Sequence, residues 1–310
     1  MLKKIVFMGT PLFAVPILKS LYQNGYLVST VYTRPPQKSQ RGQKIKKSPI
    51  QGISETLNIE YRTPNFLKNN NEEFEYLKKL DADIAIVVAY GQIIPKEFLS
   101  LTKKGFINIH ASLLPKWRGA APIQRSIMNL EKETGISIMK IEEKLDAGPV
   151  CNSYKIKIEK NDNTETISEK LSSLAAEKIL DIIENILDDQ IKFKEQNHSE
   201  ATYASKIEKA EGQIKWDETA ESIIGKINGL YQSPGAFFVY NGERYKILKA
   251  ELTSGIGKSG DVLDDYLQIC CGNKKSIKIQ EIQRQGKRPQ NINEFMLGSQ
   301  IKKGLNLKNA

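Results

Sequence analysis

Short apolar runs alternate with stretches of helical spacing over the first half of the chain. Lys3–Gly9 (KKIVFMG) reads as a strand, and a helix is predicted from about Phe13 to Asn24. Leu27–Thr33 is a second strand and Ile59–Thr63 a short third. Asp83–Ala89 (DIAIVVA) is continuous and rich in β-branched residues, the pattern of a strand buried on both faces. Phe106–His110 is a fifth strand and Thr134–Ile141 a sixth, with helical patterns between most of them. This alternation predicts an α/β fold with a doubly wound parallel sheet.

The pattern then changes period. From Thr166 to Asp188 the apolar residues Ile167, Leu171, Leu174, Ala175, Ile179, Ile182, Ile183 and Ile186 recur at helical spacing, and Thr166 with Glu169 reads as a capping box. Polar residues dominate 190–206, the expected linker between an N-terminal domain (1–189) and a C-terminal one (207–310). In the latter, a helix over Asp217–Leu230 precedes short strands at Ala236–Tyr240, Arg244–Leu252, Asp261–Cys270 and Ser276–Gln283. Asn241-Gly242 between the first two is a strong hairpin signal. Short strands with Gly-rich turns predict a small β-barrel.

Composition fits this picture. The chain has 310 residues, 40% apolar and 26% charged, as expected of a globular protein of about two domains. Its longest clean apolar run, Ile84–Ala89, falls far short of the ~20 residues of a membrane helix, and the first apolar run is too short for a secretory signal. Three cysteines, two of them adjacent, fit neither a disulfide framework nor a metal site. A cytoplasmic protein without membrane contact or metal is therefore expected, and a monomer, since nothing points to an oligomer.

Charge adds a candidate partner. The net charge is 46 − 36 = +10, and the first acidic residue is Glu55. Nine bases precede it, so residues 1–54 carry +9 and the remainder 37 − 36 = +1. Six of the nine lie in Arg34–Lys47, with Pro35, Pro36 and Gly42. That reads as an exposed basic loop attractive to phosphate, and to nucleic acid first. A merely solvated loop is an equally good reading of composition alone.

The end of the first strand, Met8-Gly9-Thr10-Pro11, lacks the G-x-G-x-x-G of a dinucleotide-binding Rossmann domain, and no acidic residue closes the second strand. NAD is not expected, and Gly9 reads as a tight strand-to-helix turn. The informative stretch is Asn108-Ile109-His110-Ala111-Ser112-Leu113-Leu114-Pro115-Lys116-Trp117-Arg118-Gly119. Asn108 and His110 are two residues apart at the carboxyl end of a strand, so their side chains point the same way where open α/β sheets bind ligands. Leu145-Asp146-Ala147-Gly148-Pro149 supplies a carboxylate in a Gly/Pro loop. A carboxylate beside an imidazole orients it and favours its charged form. Asn108 and a protonated His110 would then stabilise a developing oxyanion, and Asp146 would take a proton from an attacking amine. No Ser or Cys has a base to activate it, because the other histidine, His198, falls in the linker. The arrangement suits direct attack on an acyl carbon. Each residue also has a plain structural reading: a hydrogen-bonded strand-end His, a turn-capping Asn and a turn Asp.

The run NIHASLLPKWRGAAPI, of the form N-x-H-x-S-x-L-P-x-x-x-G with a downstream D-x-G, resembles the formyltransferases that use 10-formyltetrahydrofolate, in particular the branch acting on methionyl-tRNA. KIVFMGTPLFAVPIL, VVAYGQIIP and YASKIEKAEGQIKW extend the likeness over nearly the whole chain. The resemblance implies a Rossmann-like formyltransferase sheet followed by a smaller OB-like barrel that contacts tRNA. It makes Asn108, His110 and Asp146 the catalytic trio, and places Ser112, Leu113, Leu114, Pro115, Tyr90 and Gly91 against the folate. The Arg34–Lys47 loop falls where the family reaches the acceptor stem of initiator methionyl-tRNA, which implies RNA contacts from Lys38, Arg41, Gly42, Lys44, Lys46 and Lys47. Two positions depart from the family: Gln51 stands where a Lys is usual, and Asn228 where an Arg is usual. An amino sugar on a nucleotide is the alternative acceptor. An RNA-binding protein with a dead transferase domain is a third reading, against which the intact trio argues. Convergence of the trio requires Asp146 within about 8 Å of His110, roughly one screening length.

Overall fold

The computed structural model describes residues 3–38 and 45–308. In chain order it forms β1 (Lys4–Gly9), α1 (Val15–Gln23), β2 (Leu27–Tyr32), β3 (Gln37–Lys38), β4 (Ile45–Lys46), α2 (Pro49–Thr56), β5 (Tyr61–Arg62), α3 (Asn71–Leu80) and β6 (Ile84–Val88). There follow β7 (Phe106–His110), β8 (Arg118–Gly119), α4 (Pro122–Met128), β9 (Glu133–Lys140), β10 (Val150–Lys157) and α5 (Thr164–Leu187). The rest comprises β11 (Tyr203–Ala204), α6 (Ala220–Gly229), β12 (Ala236–Tyr240), β13 (Glu243–Ser254), β14 (Gln268–Cys270), β15 (Lys275–Arg284), β16 (Gln290–Asn291) and α7 (Ile292–Met296). Two compact units result: 1–119 with 134–156 and 168–203, and 120–133 with 157–167 and 204–310.

The first unit is built on a seven-stranded sheet of order β10-β9-β7-β6-β1-β2-β5. β1, β2, β5, β6 and β7 are parallel, as the alternation predicts. β6 is buried along its whole length, which explains its unbroken apolar sequence. Ser48 and Asn70 cap α2 and α3 by accepting from the Gln51 and Glu73 amides. α5 buries Leu171, Ala175, Ile179, Ile182, Ile183 and Ile186. Ser172 and Ser20 add hydrogen bonds to the carbonyls of Phe13 and Ala176.

Three details correct the sequence reading. β9 runs antiparallel to β7, with His110 opposite Ser137, so the sheet is mixed. A parallel return needs a crossover along the sheet; residues 111–132 make none, and the chain re-enters beside the end it left. The N-cap of α5 is Asn163, whose Oδ1 accepts from the amides of Glu165 and Thr166; Thr166 is already helical. The expected strand Asp261–Cys270 is broken. Asp264 accepts from the amides of Tyr266 and Gln268, folding the chain so that Val262 bridges Ile269 and only β14 extends the sheet.

The second unit holds an antiparallel sheet of order β12-β13-β15-β14, with β16 on β15. Its core runs through Trp216, Phe238, Tyr245 and Phe295, with ring centroids 5.4–5.9 Å apart. Asn241-Gly242 makes the β12–β13 turn with both residues at positive φ, the geometry such hairpins require.

Candidate active site

Asn108 and His110 project from the carboxyl end of β7, whose register is held by β6 on one side and β9 on the other. His110 is buried, and its Nε2 lies 2.9 Å from the Trp117 carbonyl. A carbonyl only accepts, so that bond assigns the proton to Nε2 and leaves Nδ1 as the working atom. Nδ1 lies 3.7 Å from Asp146 Oδ2. Asn108 Nδ2 donates to Asp146 Oδ1 at 3.4 Å, and the Gly119 amide donates to Oδ2 at 2.9 Å. The trio thus converges well inside the 8 Å limit. Asp146 faces both partners, and one hydrogen of the Asn108 amide is left over.

The backbone around the trio is forced. Ala89, Trp117 and Asp146 adopt φ of +47°, +62° and +46°, conformations rare for non-glycine residues and concentrated at functional sites. Gly148 explains the D-x-G spacing, since a Cβ there would lie 2.1 Å from the Lys140 carbonyl oxygen. Gly9 is likewise a close-packing position, where a Cβ would meet Ala14 and Phe7 at 2.9 Å.

The folate candidates divide. Ser112 is buried, and its hydroxyl donates to the Lys116 carbonyl at 2.6 Å, so it shapes the turn. Leu113, Leu114 and Pro115 are half-buried on that turn. Ser137, which the sequence reading missed, holds it: its Oγ donates to the Ser112 carbonyl and accepts from the Leu114 amide. The Tyr90 ring sits in the core with Met8, Tyr32, Leu77 and Phe98, leaving its carbonyl, bonded by Thr10 Oγ1, at the sheet end. Gly91 is exposed at φ +82°. Exposed Leu12, Ile93 and Leu145 follow β1, follow β6 and precede Asp146, respectively.

Also missed were Arg118 and Gln196. Both are buried, and the Arg118 guanidinium donates to Gln196 Oε1 and to His198 Nδ1. The linker histidine therefore has a structural partner. No signal short of the fold pairs 118 with 196.

Two of the RNA candidates lie on β3 and β4, an antiparallel pair. Lys38 belongs to β3 and Lys46 is exposed on β4. Arg41, Gly42 and Lys44 lie outside the described residues. Lys47 pairs with Glu55 at 2.9 Å; that hydrogen bond raises the lysine's pKa and lowers the glutamate's. Gln51 is buried and donates to Glu55 and Tyr61. Among the described residues no group of three or more His, Cys, Asp or Glu could hold a metal, and no helix is long and apolar enough to cross a membrane.

Comparison with known proteins gives the family. The formyl transferase family model matches residues 3–183, and the model of the formyl transferase C-terminal domain matches 206–300. A methionyl-tRNA formyltransferase of Pelagibacter ubique is 72% identical over 310 residues, all of both chains. One from Caldanaerobacter subterraneus is 41% identical over 98% of this chain and 100% of that protein. An N-formyltransferase from Helicobacter canadensis, solved with folinic acid and dTDP-3-aminofucose, superposes with a TM-score of 0.69 at 20% identity. It covers 90% of this chain and 99% of its own, a likeness of fold. With its trio assembled and its relatives matched end to end, the chain belongs to the formyl transferase family, among the methionyl-tRNA formyltransferases.

Proposed function

We propose that the protein transfers the formyl group of 10-formyltetrahydrofolate to the α-amino group of methionine on initiator tRNA. The observation that carries the chemistry is Asp146 set between Asn108 and His110 with no activated nucleophile beside them. Asp146 accepts the proton that the attacking amine sheds. Asn108, through its unused amide hydrogen, and His110, with a proton on Nδ1, donate to the formyl oxygen as charge builds there. The bound folate supplies the formyl group and leaves protonated at the nitrogen that carried it. The Nδ1 proton of His110 goes to that nitrogen, and the proton held on Asp146, 3.7 Å away, then replaces it on Nδ1. Exposed Leu12, Ile93 and Leu145 fit a flat, amphipathic heterocycle. The 72% relative supports methionyl-tRNA as acceptor. The amino-sugar alternative has only fold-level support, at 20% identity. Mass spectrometry of enzyme quenched during turnover tests direct attack. No formyl adduct on the protein is expected, and an adduct that forms and decays with turnover overturns it.

A further inference from the structure

We propose that Gln196 is a positioning residue for this reaction: its amide holds the Asp146 loop in register with Asn108 and His110. The inference rests on the role given to Asp146 above. Gln196 Oε1 accepts from Arg118 Nε at 3.1 Å and Nη2 at 2.7 Å. Its Nε2 donates to the carbonyls of Asp146 at 2.9 Å and Gly148 at 2.7 Å. Both lone pairs and both hydrogens of the amide are used. The amide cannot flip, because that would set its NH2 against the guanidinium and its oxygen against two carbonyls. Gln196 is 8% exposed and Arg118 4% exposed, so water does not replace these bonds.

The segment so held is the one under strain. Asp146 is in the left-handed region, and Gly148 is pressed on the Lys140 carbonyl from the other side. Without the two donors, Asp146 relaxes toward negative φ and its carboxylate swings away from His110. A misplacement of about 1 Å can cost on the order of 100-fold in rate.

Gln196→Glu is the selective test. The carboxylate still accepts from Arg118 but has nothing to donate to the loop carbonyls. The expected result is a fall in kcat of about 10- to 100-fold, with both KM values within about threefold of wild type. In an Asp146→Asn background the same change costs less than about threefold, because the group it positions is already gone. Gln196→Asn, which keeps the amide but is one methylene shorter, is the second variant and gives the same pattern. A readout independent of activity comes from nitrogen NMR of the two histidines. Gln196→Glu shifts the His110 ring signal toward its position in Asp146→Asn. Equal losses in both backgrounds, or an unmoved His110 signal, overturn the proposal while leaving Asp146 its role. Full activity of Asp146→Asn sinks that role, and the positioning inference with it.

Discussion

His110 carries two commitments on one ring. Nε2 is fixed to the Trp117 carbonyl and Nδ1 faces Asp146, so rotating the ring would break both at once. His110→Ala and Asn108→Ala are each expected to lower kcat by about 10²–10³, the usual cost of one oxyanion donor, with the KM for tRNA little changed. A KM effect without a kcat effect would assign them to binding. Gly148→Ala tests the loop from the other side. Its Cβ would fall 2.1 Å from the Lys140 oxygen, so the loop must move. We expect at least about 10-fold loss of kcat and about 1–3 kcal/mol of destabilisation, as for other overpacked sites. A variant active at the wild-type rate would show that the loop tolerates displacement.

Helix α4 ties the 120–133 segment into the second unit. Arg125 reaches from it to Glu211, with Nη1 2.5 Å and Nη2 3.1 Å from the two carboxylate oxygens. That hydrogen bonding holds the Glu211 carboxyl below its ordinary value of 4.5. A depressed carboxylate contributes stability that is present above the unfolded pKa and is lost as pH falls through the folded one. Arg125→Ala should therefore destabilise by about 1–2 kcal/mol near neutrality, discounted for partial exposure. The gap should narrow once the pH drops below 4.5. A gap that is constant with pH, measured by denaturant unfolding, would contradict it.

Elements were legible in the sequence where one force dominated them. The apolar run of β6 and the helical stripe of α5 follow from burial alone. Strand β10 was missed because Val150–Lys157 (VCNSYKIK) mixes apolar, polar and lysine residues at a sheet edge, with no residue fully buried. The direction of β9 was not legible, since strand periodicity is the same both ways. Asn108, His110 and Asp146 were singled out by the N-x-H and D-x-G motifs of the resemblance, since each residue alone also had a plain structural reading, and the fold sets their side chains together. Arg118, Ser137 and Gln196 could not, because buried polar pairs far apart in sequence become partners only once the chain is folded. The turn bond from Ser112 to the Lys116 carbonyl is one that local sequence does not announce.

On the scale of the whole molecule, charge asymmetry is the dominant feature, with +9 in the first 54 residues. Lys47 pairs with Glu55, and the proposed phosphate contacts are Lys38, Arg41, Lys44 and Lys46. The KM for tRNA should rise steeply with salt. Its log–log slope should fall by about 1 for each of those four bases replaced by Ala, and Lys47→Ala should change it least. The same slope in all variants would place the RNA elsewhere.

One experiment reaches the central claim. Purified protein is given 10-formyltetrahydrofolate with two acceptors in parallel, methionyl-initiator tRNA and a nucleotide-linked amino sugar. Formylmethionyl-tRNA from the wild type, a rate about 10²–10³ lower from His110→Ala, and untouched sugar is the predicted result. Formylated sugar with untouched tRNA would keep the trio and contradict the acceptor, and a fully active His110→Ala would contradict the trio itself.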